Sequence, residues 1–184
     1  MDETIDGLIE AVIEREGGYV DHPADRGGPT RWGITETVAR TQGWHGSMRQ
    51  LPRDAAVAIY RRLYWYRPGL EAVAARAPRL AAELFDTGVN MGPPVAIGFL
   101  QRALNALNRG ARDYADLVRD GRIGPATLAA IDAFLLVRRT VGETVLVKAI
   151  DALQGERYVA LAERRPADEA FLYGWLAQRI GEPA

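Results

Sequence analysis

Glu16, Asp25 and Thr30 form the pattern in this chain with the clearest capacity for chemistry. The two carboxylates stand nine positions apart, across a glycine-rich run that opens with Glu16-Gly17-Gly18-Tyr19 and continues through Asp25-Arg26-Gly27-Gly28-Pro29-Thr30 to Trp32-Gly33-Ile34-Thr35. Hydrolysis of a glycosidic bond needs such a pair: one carboxylic acid protonates the leaving oxygen, and a carboxylate activates water or stabilises an oxocarbenium-like centre. A separation of about 5–5.5 Å gives retention and one of about 6.5–9.5 Å gives inversion, and sequence does not carry that distance. Thr30 adds a hydroxyl suited to holding a nucleophilic water. The glycines permit turns with positive φ and let a bulky polymer approach the backbone closely.

The element that must position Glu16 is a first helix. Ile5, Leu8, Ile9, Val12 and Ile13 recur at the spacing of one helical face, and continuing that stripe lands on Glu16. A carboxyl group on the inward face of a helix C-terminus is expected to feel partial desolvation and the negative end of the helix dipole, both of which favour the protonated form a general acid needs. Taken alone, Glu16-Gly17-Gly18 reads better as a solvated helix end with a C′ glycine at Gly17, and Asp25 as a turn cap. The ordered set of Asp25, Thr30 and Gly33-Ile34-Thr35 behind it favours the catalytic reading. Tyr19 and Trp32 flank the set and are expected to stack on sugar rings, whereas Trp65, near Tyr64, is expected in the core. Asp86 and Asn90 lie four apart on an otherwise apolar helical face. They either face the substrate or brace the first loop, and they join Tyr19 and Trp32 as candidate substrate-binding residues.

The remaining elements are also helical. Helices are expected from about Thr4 to Glu16, Thr35 to Gln42, Pro52 to Tyr66, Pro78 to Met91, then from Pro94 to about Leu107, from Pro125 onward, from Val141 to Glu163 and from Asp168 to Ile180. Residues 17–35 form a long ordered loop or a short hairpin. The fold class is therefore mainly α. Gly92-Pro93-Pro94 marks the best boundary, dividing 1–92 from 93–184, and is too short to be a flexible linker, so the two halves should pack together.

Composition narrows the function. A net charge of −1 argues against nucleic acid as a partner. Residues 1–16 carry a local charge of −5, leaving +4 on the rest, almost all of it arginine, with Lys148 the only lysine. The chain has no cysteine, which excludes disulfides and thiolate metal sites. His22 and His45 belong to no metal-binding spacing, and the Asp116–Gly121 turn lacks the alternating ligands of a calcium loop. No metal and no cofactor are expected. The longest apolar stretch, Leu128–Val137, is interrupted by Asp132 and too short to span a bilayer, so stable membrane insertion is not expected. The opening Met1-Asp2-Glu3-Thr4 is acidic where a secretory segment would be basic and then apolar. Synthesis in the cytoplasm without a signal peptide is expected.

The run Glu16-Gly-Gly-Tyr, Asp25-x-Gly-Gly-x-Thr30 and Gly33-Ile-Thr resembles the signature of glycoside hydrolase family 108, lysozyme-like muramidases of phage endolysins and bacterial release systems. The resemblance continues in Ile59-Tyr60-Arg61-Arg62-Leu63-Tyr64-Trp65 and in Phe85-Asp86-Thr87-Gly88-Val89-Asn90-Met91-Gly92. The second half resembles the predicted peptidoglycan-binding region that accompanies this domain, through Leu100-Gln101-Arg102-Ala103-Leu104-Asn105, Asp120-Gly121-x-Ile123-Gly124-Pro125-x-Thr127 and the ending Phe171-Leu172-Tyr173-Gly174-Trp175-Leu176. Pro29 departs from the small residue expected before the threonine, and Arg26 stands where proline is common. The resemblance implies a lysozyme-like two-lobed helical fold, with a muramidase lobe at 1–92 and a peptidoglycan-binding lobe at 93–184. It implies cleavage of the β-1,4 bond between N-acetylmuramic acid and N-acetylglucosamine, with Glu16 as the acid and Asp25 and Thr30 in support. The implied partner is the peptidoglycan glycan strand, met in the periplasm or wall after passage through a holin or other release system, for lysis or for particle or protein release. A catalytically inactive wall-binding or secretion-assisting protein is the alternative.

Overall fold

The computed structural model describes residues 2–21 and 28–181 of the chain. Among them the architecture is mainly α with one small sheet, and the chain divides into two compact units, residues 1–67 and 68–184.

The first unit opens with α1 (Asp2–Glu16), whose stripe of Ile5, Ile9, Val12 and Ile13 is buried as the periodicity requires. Gly17 ends the helix in the left-handed conformation (φ 75°), and its amide donates to Ile13 O at 3.1 Å. The stretch expected as a loop or hairpin is a three-stranded antiparallel sheet of β1 (Tyr19–Val20), β2 (Thr30–Arg31) and β3 (Ile34–Thr35). Tyr19 pairs with Arg31 and Val20 with Thr30, while Thr30 pairs with Thr35 and Arg31 with Ile34. The β2–β3 connection is Trp32-Gly33, both at positive φ (55° and 74°), as the tightest hairpin turns demand. Gly33-Ile34-Thr35 thus divides three tasks. Gly33 makes the turn and Ile34 enters the core at 2% exposure. Thr35 caps α2 (Glu36–Thr41), its hydroxyl accepting from Val38 N at 3.3 Å.

The helix expected over 52–66 is present in two forms. Residues Arg53–Tyr60 are α-helical (α3), and Arg61–Tyr66 continue as a π-helix, closed by Arg67 N donating to Arg62 O at 3.0 Å. The wider turn shifts the buried face and carries Trp65 into the core at 7% exposure. Asp6 and Glu10 of α1 pair with Arg61 and Arg53, which accounts for part of the acidic bias of the first residues.

The second unit contains α4 (Leu70–Ala74), which the periodicity did not reveal, then α5 (Pro78–Met91), α6 (Pro93–Ala106), α7 (Pro125–Arg138), α8 (Gly142–Arg164) and α9 (Glu169–Arg179). Leu80, Leu84 and Phe85 of α5 join Leu100, Leu104, Ile131, Phe134, Leu146 and Ile150 in one core. Between α6 and α7 the backbone leaves regular structure, and asparagine side chains take over its hydrogen bonding. Asn105 both donates to Leu117 O and accepts from Leu117 N at 2.8 Å, and the fully buried Asn108 donates to Tyr114 O at 2.7 Å.

Candidate functional site

Glu16 is the last residue of α1 and is exposed. This corrects the expectation of an inward-facing carboxyl. The apolar stripe reaches its end at Ile13, and one turn later the helix has run past the core that covers it. The Glu16 stem packs against the turn of the sheet. A Cβ added at Gly33 would lie 2.9 Å from Glu16 Cγ and 2.4 Å from the Tyr60 hydroxyl oxygen, so the bare α-carbon of Gly33 is the surface on which both side chains rest. Tyr60 is 2% exposed and donates to Trp32 O at 3.1 Å, which ties α3 to the strained turn.

Trp32 is held in its left-handed backbone conformation from both ends. Its indole N–H donates to Leu51 O at 3.1 Å, and the Arg31 guanidinium lies 5.1 Å from its ring centroid. Tyr19 lies under Arg49, whose Cζ is 4.2 Å from the ring centroid, and its hydroxyl donates to Asp21 Oδ2 at 2.8 Å. Thr30, on β2, donates its hydroxyl to Gly28 O at 3.2 Å. Asp25, with Arg26 and His22, lies outside the described residues. The first unit therefore gathers Glu16, Gly33, Trp32 and Tyr60 at the end of α1, with Thr30 on the neighbouring strand.

Gly33→Ala tests this arrangement. The added methyl would meet Tyr60 and Glu16 at a backbone angle that L-residues avoid, so a destabilisation on the order of 1–3 kcal/mol is expected, read by chemical denaturation. Any activity that depends on the placement of Glu16 should fall further than the loss of folded protein accounts for, because its stem is displaced.

In the second unit, Asp86 and Asn90 of α5 face Arg179 of α9. Asp86 Oδ2 lies 3.9 Å from Arg179 Nη1. With its amide oxygen turned toward these donors, Asn90 accepts from Arg179 Nε at 2.9 Å and from the Tyr158 hydroxyl at 3.0 Å. These contacts brace α5 against α8 and α9. Two of these helices, α5 and α8, hold a polar cluster that sequence reasoning missed. Thr87 donates to Gln154 Oε1 at 2.9 Å, and Gln154 donates to the Tyr158 hydroxyl at 3.0 Å, with all three side chains buried. Beside them, burial pushes the Glu83 carboxyl up to about 8, with the charges of Asp151 and Asp86 adding to the effect, and burial also raises Asp151. The signal was present in α5, where Glu83 stands between Leu80 and Thr87 on the inward face. Among the described residues no group of three or more His, Cys, Asp or Glu side chains is arranged to hold a metal ion, and no helix is long and apolar enough to cross a membrane.

Residues 9–92 match the model of the Glycosyl hydrolase 108 family, and residues 95–180 match the Predicted Peptidoglycan domain. The matches part between 92 and 95, while the compact units part between 67 and 68, so α4 and α5 belong to the hydrolase region by sequence and to the second unit by packing. None of the curated proteins matches the chain. Among solved structures, that of SagA from Brucella abortus is similar at a TM-score of 0.67 and 25% identity, over 96% of this chain and 90% of that one. The mainly α, lysozyme-like fold and the two matched regions agree with one another, and the chain belongs to the glycosyl hydrolase 108 family, with its peptidoglycan-binding region at residues 95–180.

Proposed function

We propose that the chain is an N-acetylmuramidase, cutting the β-1,4 bond between N-acetylmuramic acid and N-acetylglucosamine in peptidoglycan. The observation that carries this reading is the seating of Glu16, inside the hydrolase region, with its stem packed on the Gly33 turn and its residue exposed to an incoming polymer. Glu16 serves as the general acid and protonates the glycosidic oxygen as the bond to the leaving sugar breaks. The low-polarity surroundings an acid works in are supplied by the glycan strand as it covers the end of α1. Asp25 and Thr30 support the second half of the reaction, by directing water to the anomeric carbon or by stabilising its positive charge. Trp32 and Tyr19 supply ring faces to the sugars, and Trp32 is held rigidly enough to do so without a large ordering cost. The wall is the place of action, reached through a holin or another release system.

The test is product analysis. Purified sacculi digested with the protein should yield muropeptides ending in a reducing N-acetylmuramic acid, identified by mass spectrometry after borohydride reduction. Reducing N-acetylglucosamine ends would make it a glucosaminidase, and wall binding without new reducing ends would make it an idle wall-binding protein.

A further inference from the structure

We propose that a groove along α7 is a binding site for the peptide stem of peptidoglycan, distinct from the Glu16 region. The proposal rests on reading residues 95–180 as a peptidoglycan-binding region, and it assigns that region a place and a part of the polymer. The groove has a volume of 730 Å³, within the range of small-ligand sites, and runs between the segment 114–124 and the first turns of α7.

Its walls are held before any ligand arrives. Gln101, 1% exposed, donates to Asp120 Oδ1 at 2.8 Å and to Arg122 O at 3.1 Å, and accepts from Gly121 N at 3.0 Å. Asn105 fixes Leu117 through both of its backbone groups. Gly121 cannot carry a side chain without a clash, since a Cβ there would lie 2.7 Å from Pro94 O. The Asp120-Gly121-x-Ile123-Gly124-Pro125-x-Thr127 motif thus builds one wall of a rigid groove, which lowers the ordering cost of binding.

The lining selects a peptide over a sugar. The side facing Leu117 and Val118 is made of alanine methyls from α7, with Ala126 and Ala129 exposed and Ala133 half-buried. Val118 is 80% exposed beside them. Sugar sites rely on open aromatic faces and many polar groups. The single aromatic in the lining, Tyr114, has its hydroxyl committed to Leu104 O at 2.7 Å and its ring partly covered. Methyl-lined surface suits the alanine side chains of a stem peptide. At the rim, exposed Arg122 offers a cation to the free carboxylates of a stem peptide, and exposed Asp116 and Asp120, each accepting one bond from a side-chain amide, offer acceptors to the amine of its diamino acid.

The experiment titrates the isotope-labelled full-length chain with two synthetic probes, L-Ala-γ-D-Glu-meso-diaminopimelate-D-Ala-D-Ala and a chitin tetrasaccharide. The pentapeptide should shift the amide resonances of Leu117, Val118, Gly124, Ala129 and Ala133, and the tetrasaccharide should leave them in place. Ala129→Trp fills the groove at an exposed helix position, and Arg122→Ala removes the rim cation. Each should weaken the pentapeptide by about tenfold or more, with the melting curve confirming a folded chain. Absence of peptide shifts in the wild-type protein, shifts of the groove by the tetrasaccharide, or unchanged affinity in the folded variants would overturn the proposal. Release of reducing ends by the wild-type protein is read separately on sacculi. A chain that binds the pentapeptide but cuts nothing would overturn the muramidase reading alone, and one that cuts without binding would overturn the groove alone.

Discussion

Glu16→Gln should lower the rate of glycan cleavage by a factor on the order of 10² to 10⁴, the usual contribution of a positioned general acid. The amide keeps the length and shape of the glutamate side chain, so Cβ and Cγ still rest on Gly33 and the Tyr60 hydroxyl still reaches Trp32 O. Melting temperature and binding to sacculi should therefore stay close to wild type while release of reducing ends collapses. That combination separates the loss of a proton donor from the loss of a fold. Glu16→Asp sharpens the test, because it keeps the acid and draws it back by one methylene. It should recover part of the activity at most, since proton transfer requires hydrogen-bond reach of the leaving oxygen. Full cleavage by Glu16→Gln would remove Glu16 from the chemistry and leave its place at the end of α1 as a matter of packing.

The sequence made Glu16 conspicuous for a reason that the structure revises. A helical stripe reports which face of a helix is apolar, and it does not report where the core beneath that face stops. Ile5, Ile9, Val12 and Ile13 are buried, and the next position on the stripe is exposed. Boundaries set by local backbone chemistry were legible: α5 spans Pro78–Met91 as its proline start and Gly92 stop imply, and α7 begins at Pro125. The π-helix at Arg61–Tyr66 was not, because one wider turn scarcely disturbs a period read over a dozen residues. Nor was the left-handed Trp32, a conformation usually left to glycine or asparagine and stable here because Leu51 and Tyr60 hold it from across the unit. Asp86 and Asn90 show the same limit. Their spacing marked them as polar groups on an apolar face, but a partner that both of them face, Arg179, lies about ninety positions away on α9.

Stability against pH should be dominated by Glu83. Its carboxyl sits between Asp86 of its own helix, Asp151 of α8 and the Thr87 hydroxyl, with Arg179 of α9 facing Asp86. Burial first, and then the charges of Asp151 and Asp86, raise it from an ordinary 4.5 to about 8, so the folded chain keeps a proton that the unfolded chain gives up. Unfolding in that interval releases a proton, and stability must fall as pH rises. The contribution is complete below pH 4.5, declines through the neutral range and is gone once pH has passed through about 8. One proton corresponds to a slope of at most about 1.4 kcal/mol per pH unit. Asp151, raised as well by burial, tilts the curve the same way. Glu83→Gln stays neutral at every pH and retains an N–H to offer Asp151. Denaturant midpoints measured from pH 5 to 9 should fall steadily for the wild-type chain and run much flatter for Glu83→Gln. The two curves should separate in favour of the variant at the alkaline end, whereas parallel curves would show that the proton is not held at Glu83.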